Sequence, residues 1–304
     1  MAAVARPLVP SLRAVAPAVA YAGLTVTTIG WAAAFVAGKV VLEGMTPLAA
    51  AAARYALAAL ALLPFALRAR PREGVGAARV PLAVMVVCGG IAYPWLFLVA
   101  LRHTSATNTS LVIATNPVIT VLLAPLVGER LDRRRLAGIV LALAGAAVVI
   151  TRGDVRHLAF DPGDVLALAA AGAWAGFNLA ARGVAARLAP PFVNCVVYGA
   201  GGLALAALAR GEHLGLQLVG ATPAVLAALL VMALLSSALA GQLFLVGVRA
   251  VGVGRAVVFI YLVPVFTALM ATTFLGETFG AAQAVGGAGV LGGLWLATRA
   301  TTPG

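Results

Sequence analysis

Charged residues are few in this sequence, and acidic ones are fewest. Only 10% of the 304 residues are charged, while 63% are hydrophobic and the mean hydropathy is +1.07. A soluble domain carries about 25% charged residues, so no globular core of ordinary shape could hide this much apolar surface. Disorder is excluded by the same figures, since too little of the chain is hydrophilic. The nine carboxylates all lie at the ends of apolar runs or between them. A carboxylate at membrane depth is the natural trap for a cationic drug and the natural proton carrier. Its absence argues against lipophilic cations and leaves no evident carrier for protons. The two cysteines, Cys88 and Cys195, both sit inside apolar runs and make neither a disulfide framework nor a thiolate metal site. His103, His157 and His213 have no ligand spacing between them, so no metal is expected. Gly252-Val253-Gly254 lacks the rest of a dinucleotide or P-loop motif, so neither a cofactor nor ATP is expected.

What the chain does have is net positive charge, +12, placed in short gaps between apolar runs. A nucleic-acid binder would gather that charge into a patch with interleaved aromatics on a soluble domain. Membrane topology explains the spacing better. Stretches free of Asp, Glu, Lys and Arg run over 14–38, 80–101, 104–128, 136–151, 165–181, 188–209, 214–248, 256–276 and 278–298. A tenth, 44–67, is interrupted only by Arg54. A helix needs about 20 mainly apolar residues to cross a bilayer, so the expected fold is an all-α integral membrane protein with ten transmembrane helices. The first run is too long for a cleavable signal and counts as the first span. With the N-terminus inside, fifteen basic residues fall in inside segments and four in outside ones. That bias puts both termini in the cytoplasm, in a multi-pass protein of the cell inner (plasma) membrane.

The chain also reads as one unit written twice. A shift of 147 lays residues 95–124 over 242–271 with eleven identities, among them Arg102 with Arg249 and Pro117 with Pro264. One inserted residue further on, Gly128-Glu129 lies over Gly276-Glu277. Gly138 and Gly145 then lie over Gly286 and Gly293. Near the start of each half a shift of 143 pairs Trp31 with Trp174, Lys39 with Arg182, and Pro47 with Pro190. Residues 1–153 form the first expected repeat and 154–304 the second. Five spans is an odd number, so the second repeat must sit upside down relative to the first. The basic run Arg133 to Arg135 has no counterpart after Glu277, as opposite orientations require. Inverted repeats are common in secondary transporters, and the step from that architecture to function is one of analogy.

Three stretches carry a family resemblance. WAAAFVAGKVVLEGMTPLAAAAARY (Trp31 to Tyr55) looks like the opening of the EamA family in the drug/metabolite transporter superfamily. LRHTSATNTSLVIATNPVITVLLAPLVGERL (Leu101 to Leu131) resembles its fourth-span motif, with small residues, a mid-helix proline and a terminal Gly-Glu. RRLAGIVLALAGAAVVITRG (Arg134 to Gly153) is similar to its glycine-bearing fifth span. The second half repeats the pattern through Gly163-Asp164, Trp174, Pro264, Gly276-Glu277 and Gly286. The resemblance implies ten spans, a central cavity between the halves, and movement of small metabolites, often amino acids or related compounds.

Candidate cavity residues follow from cost and position. Arg54 lies eleven residues into its span, too deep for easy snorkelling, and a charge there costs about 2.5–3.5 kcal/mol on insertion scales. It faces the cavity or binds a neighbouring helix; its repeat partner is Val197. Lys39, the only lysine, closes the first span with Glu43 one turn on. It is either an interfacial residue with a local partner or a cation at the cavity mouth. Trp31 and Trp174 should face one another across the centre, with Phe35 and its repeat equivalent Asn178 one turn beyond. Tyr93 and Trp95 around Pro94, Asn116 beside Pro117, and Tyr261 before Pro264 complete the set; helix packing is the alternative for each. Pro117 and Pro264 are the expected kinks. These features support a secondary transporter or exporter of small metabolites, amino acids or related amphipathic compounds first, working by alternating access. The alternatives are a facilitator or exchanger of other small anions or nucleotide-type metabolites, a channel and, behind these, an intramembrane enzyme. A small-molecule substrate and the lipid bilayer are its partners, nucleic acid is not, and the chain would act as a monomer or homodimer.

Overall fold

The computed structural model describes residues 16–71, 75–123, 133–150, 161–185, 187–251, 259–260 and 262–298, and all regular structure among them is helical. Helices start where the chain supplies the chemistry for it. Pro17, Pro47, Pro190 and Pro223 each stand in a first turn, where a missing N–H costs nothing. Thr46, Ser105 and Thr222 cap the helices that follow them, accepting from the N–H of Ala49, Asn108 and Val225.

Six stretches among the described residues are long and apolar enough to cross a bilayer: Ala18–Val41, Pro47–Arg68, Val75–His103, Pro162–Ala181, Pro190–Glu212 and Pro223–Gly247. Leu136–Val149 and Leu262–Phe274 are shorter apolar helices. The run expected over 104–128 is broken. Helix α5 (Ala106–Ile113) ends in a two-residue turn before α6 (Asn116–Leu122). Pro117 has no N–H to give the Ile113 carbonyl, and Asn116 Nδ2 donates to it instead at 3.0 Å. The long run 214–248 also divides. A short helix, Leu214–Gly220, lies exposed, and a new helix opens at Pro223 under the Thr222 cap.

Two spans contain wide π-helical segments, Val86–Ala92 and Val231–Leu239. The shift of 147 lays one over the other, with Gly89-Gly90 over Ser236-Ser237 and Met85 over Met232. Such segments weaken the regular carbonyl ladder and occur often at functional sites.

Numbering the α-helices in chain order, those named below are α1 (Pro17–Val41), α2 (Pro47–Arg68), α7 (Arg133–Ile150), α8 (Pro162–Ala185), α9 (Pro190–Leu208) and α14 (Ala281–Thr298). Helix α2 packs along α9, and α7 along α14. Helix α1 runs against the second π segment and Ala240–Val251, while α8 runs against Val75–Met85 and Tyr93–His103. Glycines permit the α7–α14 approach: a Cβ at Gly145 would stand 2.5 Å from Val290 N, and one at Gly293 2.3 Å from Ala142 N. Only bare backbone fits there.

Candidate functional site

Among these helices lies a cavity with about 1050 Å³ of empty space, the open solvent at its entrance included. Arg54, on α2, projects into it and is only 6% exposed. Its Nε donates to Ser237 Oγ at 2.9 Å and its guanidinium NH2 to Ser236 Oγ at 3.3 Å. Both serines belong to the second π segment. The guanidinium also stands 5.5 Å from the Tyr55 ring centroid and 5.8 Å from that of Phe97, within cation–π range. A guanidinium has five N–H donors, and these bonds occupy two. None of the described residues lining the cavity is acidic.

Two tyrosines brace the π segments behind Arg54. Tyr55 Oη donates to the Gly89 carbonyl at 3.0 Å, and Tyr198 Oη to the Ser237 carbonyl at 3.3 Å. The two are 143 positions apart, and their rings meet at 4.7 Å. Each hydroxyl therefore answers a carbonyl of the wide turn in its own half of the chain.

Much of the remaining lining is aromatic. Trp31 meets Trp174 edge to face at 6.3 Å and Phe244 at 5.1 Å. Trp174 stacks on Phe177 at 4.6 Å and tilts against Tyr93 at 4.7 Å. Such faces offer flat apolar area with a few donors at the rim. Beside them Asn178 Nδ2 donates to Asn116 Oδ1 at 3.3 Å, tying α8 to α6. Among the described residues the chamber so formed has one fixed cation, an apolar box and a small polar edge. It suits a small molecule that is anionic at one end and apolar at the other.

Comparison with known proteins agrees with that architecture. The pattern of the EamA-like transporter family matches twice, over residues 18–151 and 161–299. This chain belongs to the EamA-like transporter family. Among curated relatives of this EamA-like chain, a probable terminal-alkyne amino-acid exporter of Streptantibioticus cattleyicolor is 31% identical, covering 91% of this chain and 93% of the relative. An uncharacterized transporter of Archaeoglobus fulgidus is 28% identical, covering 90% and 96%. A probable amino-acid metabolite efflux pump of Salmonella typhimurium is 28% identical, covering 88% and 90%. One solved crystal structure aligns over 93% of this chain and 98% of its own at TM-score 0.59 and 20% identity, a likeness of fold alone. The family match and the transporter names of its relatives point to a multi-pass membrane transporter rather than an enzyme.

The residues singled out in the sequence fall into three groups in this EamA-like transporter. Trp31, Phe35, Arg54, Tyr93, Asn116, Trp174, Asn178 and Pro264 line the one cavity, and Pro117 stands at the α5–α6 break beside it. Trp95 is elsewhere: it is 45% exposed on an outer face, because residues two apart in a helix, here Tyr93 and Trp95, point to different sides. Lys39 is not in the cavity wall either. Helix α1 ends at Val41, so the helical spacing to Glu43 is lost, and the charges acting on Lys39 are those of Glu277 and Asp161. Tyr261 lies outside the described residues. The sequence reading passed over Tyr55, Tyr198, Asn194 and Phe244, although the two tyrosines stood at the same 143-residue spacing as the tryptophans.

Near Lys39, the two halves are tied by polar contacts. Glu277 Oε1 accepts from Ala106 N at 2.7 Å, and its Oε2 accepts from Thr107 N at 3.1 Å and Thr107 Oγ1 at 2.8 Å. A carboxylate at that helix start also meets the positive end of the helix dipole. Gln283 Nε2 donates to Asn108 Oδ1 at 3.1 Å. A second tie joins Thr46 Oγ1 to the Glu212 carboxylate and the Thr46 N–H to Gln217 Oε1 at 2.8 Å.

Proposed function

We propose that this protein is a secondary transporter that exports small metabolites, amino acids or related amphipathic carboxylates first. One observation carries the reading: a buried Arg54, only partly occupied by serine hydroxyls, in an aromatic chamber whose described lining has no acidic side chain. A buried cation without an anionic partner is costly, and a substrate carboxylate supplies that partner. The substrate's side chain then lies against the aromatic cluster of Trp31, Trp174 and Phe244. The names of the Streptantibioticus and Salmonella relatives, an amino-acid exporter and an amino-acid metabolite efflux pump, point the same way.

The chain works as ten spans in two inverted five-helix repeats, 1–153 and 154–304, with both termini in the cytoplasm. Support comes from the doubled family match, the pairing of α2 with α9 and α7 with α14, and the equivalent π segments. In this frame the Glu277–Thr107 and Glu212–Thr46 ties lie at the outer end. Alternating access breaks them when the cavity opens outward.

Counterflow in liposomes tests the reading. Vesicles preloaded with an unlabelled amino acid should accumulate the labelled one saturably, and Arg54→Gln should abolish this. Accumulation of simple carboxylates but no amino acid would favour the anion facilitator. Hydrolysis of substrate, or unsaturable leak, would overturn the carrier altogether.

A further inference from the structure

The cavity holds a second buried polar group besides Arg54 that lacks a full set of partners. Asn194, on α9, is 3% exposed and lines the cavity, and its Nδ2 has no hydrogen-bond partner among the described residues. An amide donor kept from water without an acceptor is costly, so its place in a cavity wall points to an acceptor that visits. Gly241 keeps the approach clear: a Cβ there would stand 3.0 Å from Tyr198 Oη and 3.4 Å from Asn194 Nδ2. Tyr198 lies one turn beyond Asn194 and bonds the Ser237 carbonyl, while the Ser237 hydroxyl accepts from Arg54. Asn194 and Arg54 therefore belong to one continuous wall, and each has N–H groups to spare.

Neither residue is required by the shared fold of the two halves. The 143-residue spacing sets Asn194 against Ala51 and Arg54 against Val197. Both polar groups break the symmetry, and they break it in the same wall.

We propose that Asn194 is a second anchor for the substrate carboxylate, its Nδ2 donating to one oxygen while Arg54 holds the other. This inference rests on the transport reading above and deepens it. Two donors set around one carboxylate make the cavity select acids over the amines left when the carboxylate is removed. The ammonium of a zwitterion is left to the side-chain oxygen atoms of Asn116 and Asn178, which line the same cavity.

The test uses reconstituted full-length protein, labelled L-leucine as probe, and isopentylamine, its decarboxylated analogue, as competitor. Asn194→Ala should raise the half-saturation concentration for leucine about tenfold, the loss expected for one hydrogen bond to a charged group, with the maximal rate kept. Gly241→Ala leaves the amide in place but crowds it, and should raise the same constant. Asn194→Asp should lose leucine and become sensitive to isopentylamine, because the new carboxylate engages Arg54 and attracts ammonium. Melting curves separate these effects from misfolding, and Gly241→Ala decides if Asn194→Ala does not fold. Wild-type constants in both Asn194→Ala and Gly241→Ala would overturn the anchor while leaving an Arg54-dependent transporter standing. Wild-type vesicles that accumulate no amino acid would instead strike down the transport reading, and the anchor with it.

Discussion

Arg54 concentrates the argument at the scale of single residues. Its charge is buried, its partners are neutral hydroxyls, and two aromatic faces soften but do not neutralise it. Arg54→Gln should therefore cut counterflow at least tenfold while melting changes little, because the site loses a cation that the fold does not otherwise need. Arg54→Lys should fall between, since one ammonium cannot repeat the forked contact to Ser236 and Ser237. Fluxes and melting curves on the same preparations check both. The tyrosines have the opposite character. Tyr55→Phe removes the bond to the Gly89 carbonyl and should cost about 0.5–1.5 kcal/mol of stability, with Tyr198→Phe costing less because its bond is longer. Arg54 was legible in the sequence because a charge interrupts an apolar run. The two tryptophans were legible because Trp is rare enough for a matched pair to stand out. Asn194 was not, since in a helix apolar on every side no pattern tells which face meets a cavity.

At the scale of elements, glycines and wide turns decide how closely the helices approach. Gly293 and Gly292 lie side by side on α14 with opposite surroundings. A Cβ at Gly293 meets the Ala142 backbone nitrogen at 2.3 Å, whereas one at Gly292 meets only the Leu141 Cδ2 at 4.0 Å. Gly293→Ala should therefore destabilise by about 1–3 kcal/mol as α7 and α14 are pushed apart. Gly292→Ala should be neutral or slightly stabilising, because alanine favours helix. Thermal unfolding of both in one detergent checks the contrast. The helices themselves were largely readable, since charge-free runs bounded by Arg, Pro and Gly mark where lipid-length segments begin and end. The break at Ala114-Thr115 falls beside the kink expected at Pro117, whereas the fresh start at Pro223, written in Thr222-Pro223, was hidden by the charge-free run around it. The π segments left no trace, because one extra residue per turn changes no pattern where nearly every neighbour is apolar or small.

For the molecule as a whole, the inverted arrangement and the ties between its halves make one linked claim. Single cysteines at Arg133 and at Thr278, in a chain whose Cys88 and Cys195 are replaced by serine, should react with an impermeant maleimide from opposite sides of the membrane. Reaction from the same side would end the inverted arrangement. Given opposite sides, Glu277 becomes the test of motion. Its carboxylate, on the second half, holds the start of α5 on the first through three hydrogen bonds, and Lys39 and Asp161 add their charges around it. Those contacts must be exchanged for water when the cavity opens at that end, so they bias the resting protein toward closure there. Glu277→Ala removes all three at once and should shift the population toward the open form. A cysteine placed at Ser110, on the cavity wall, should then label several-fold faster from the Thr278 side. It should slow again when saturating substrate draws the two halves together around Arg54. An unchanged labelling rate in Glu277→Ala, with folding intact, would mean that this end is held by helix packing alone.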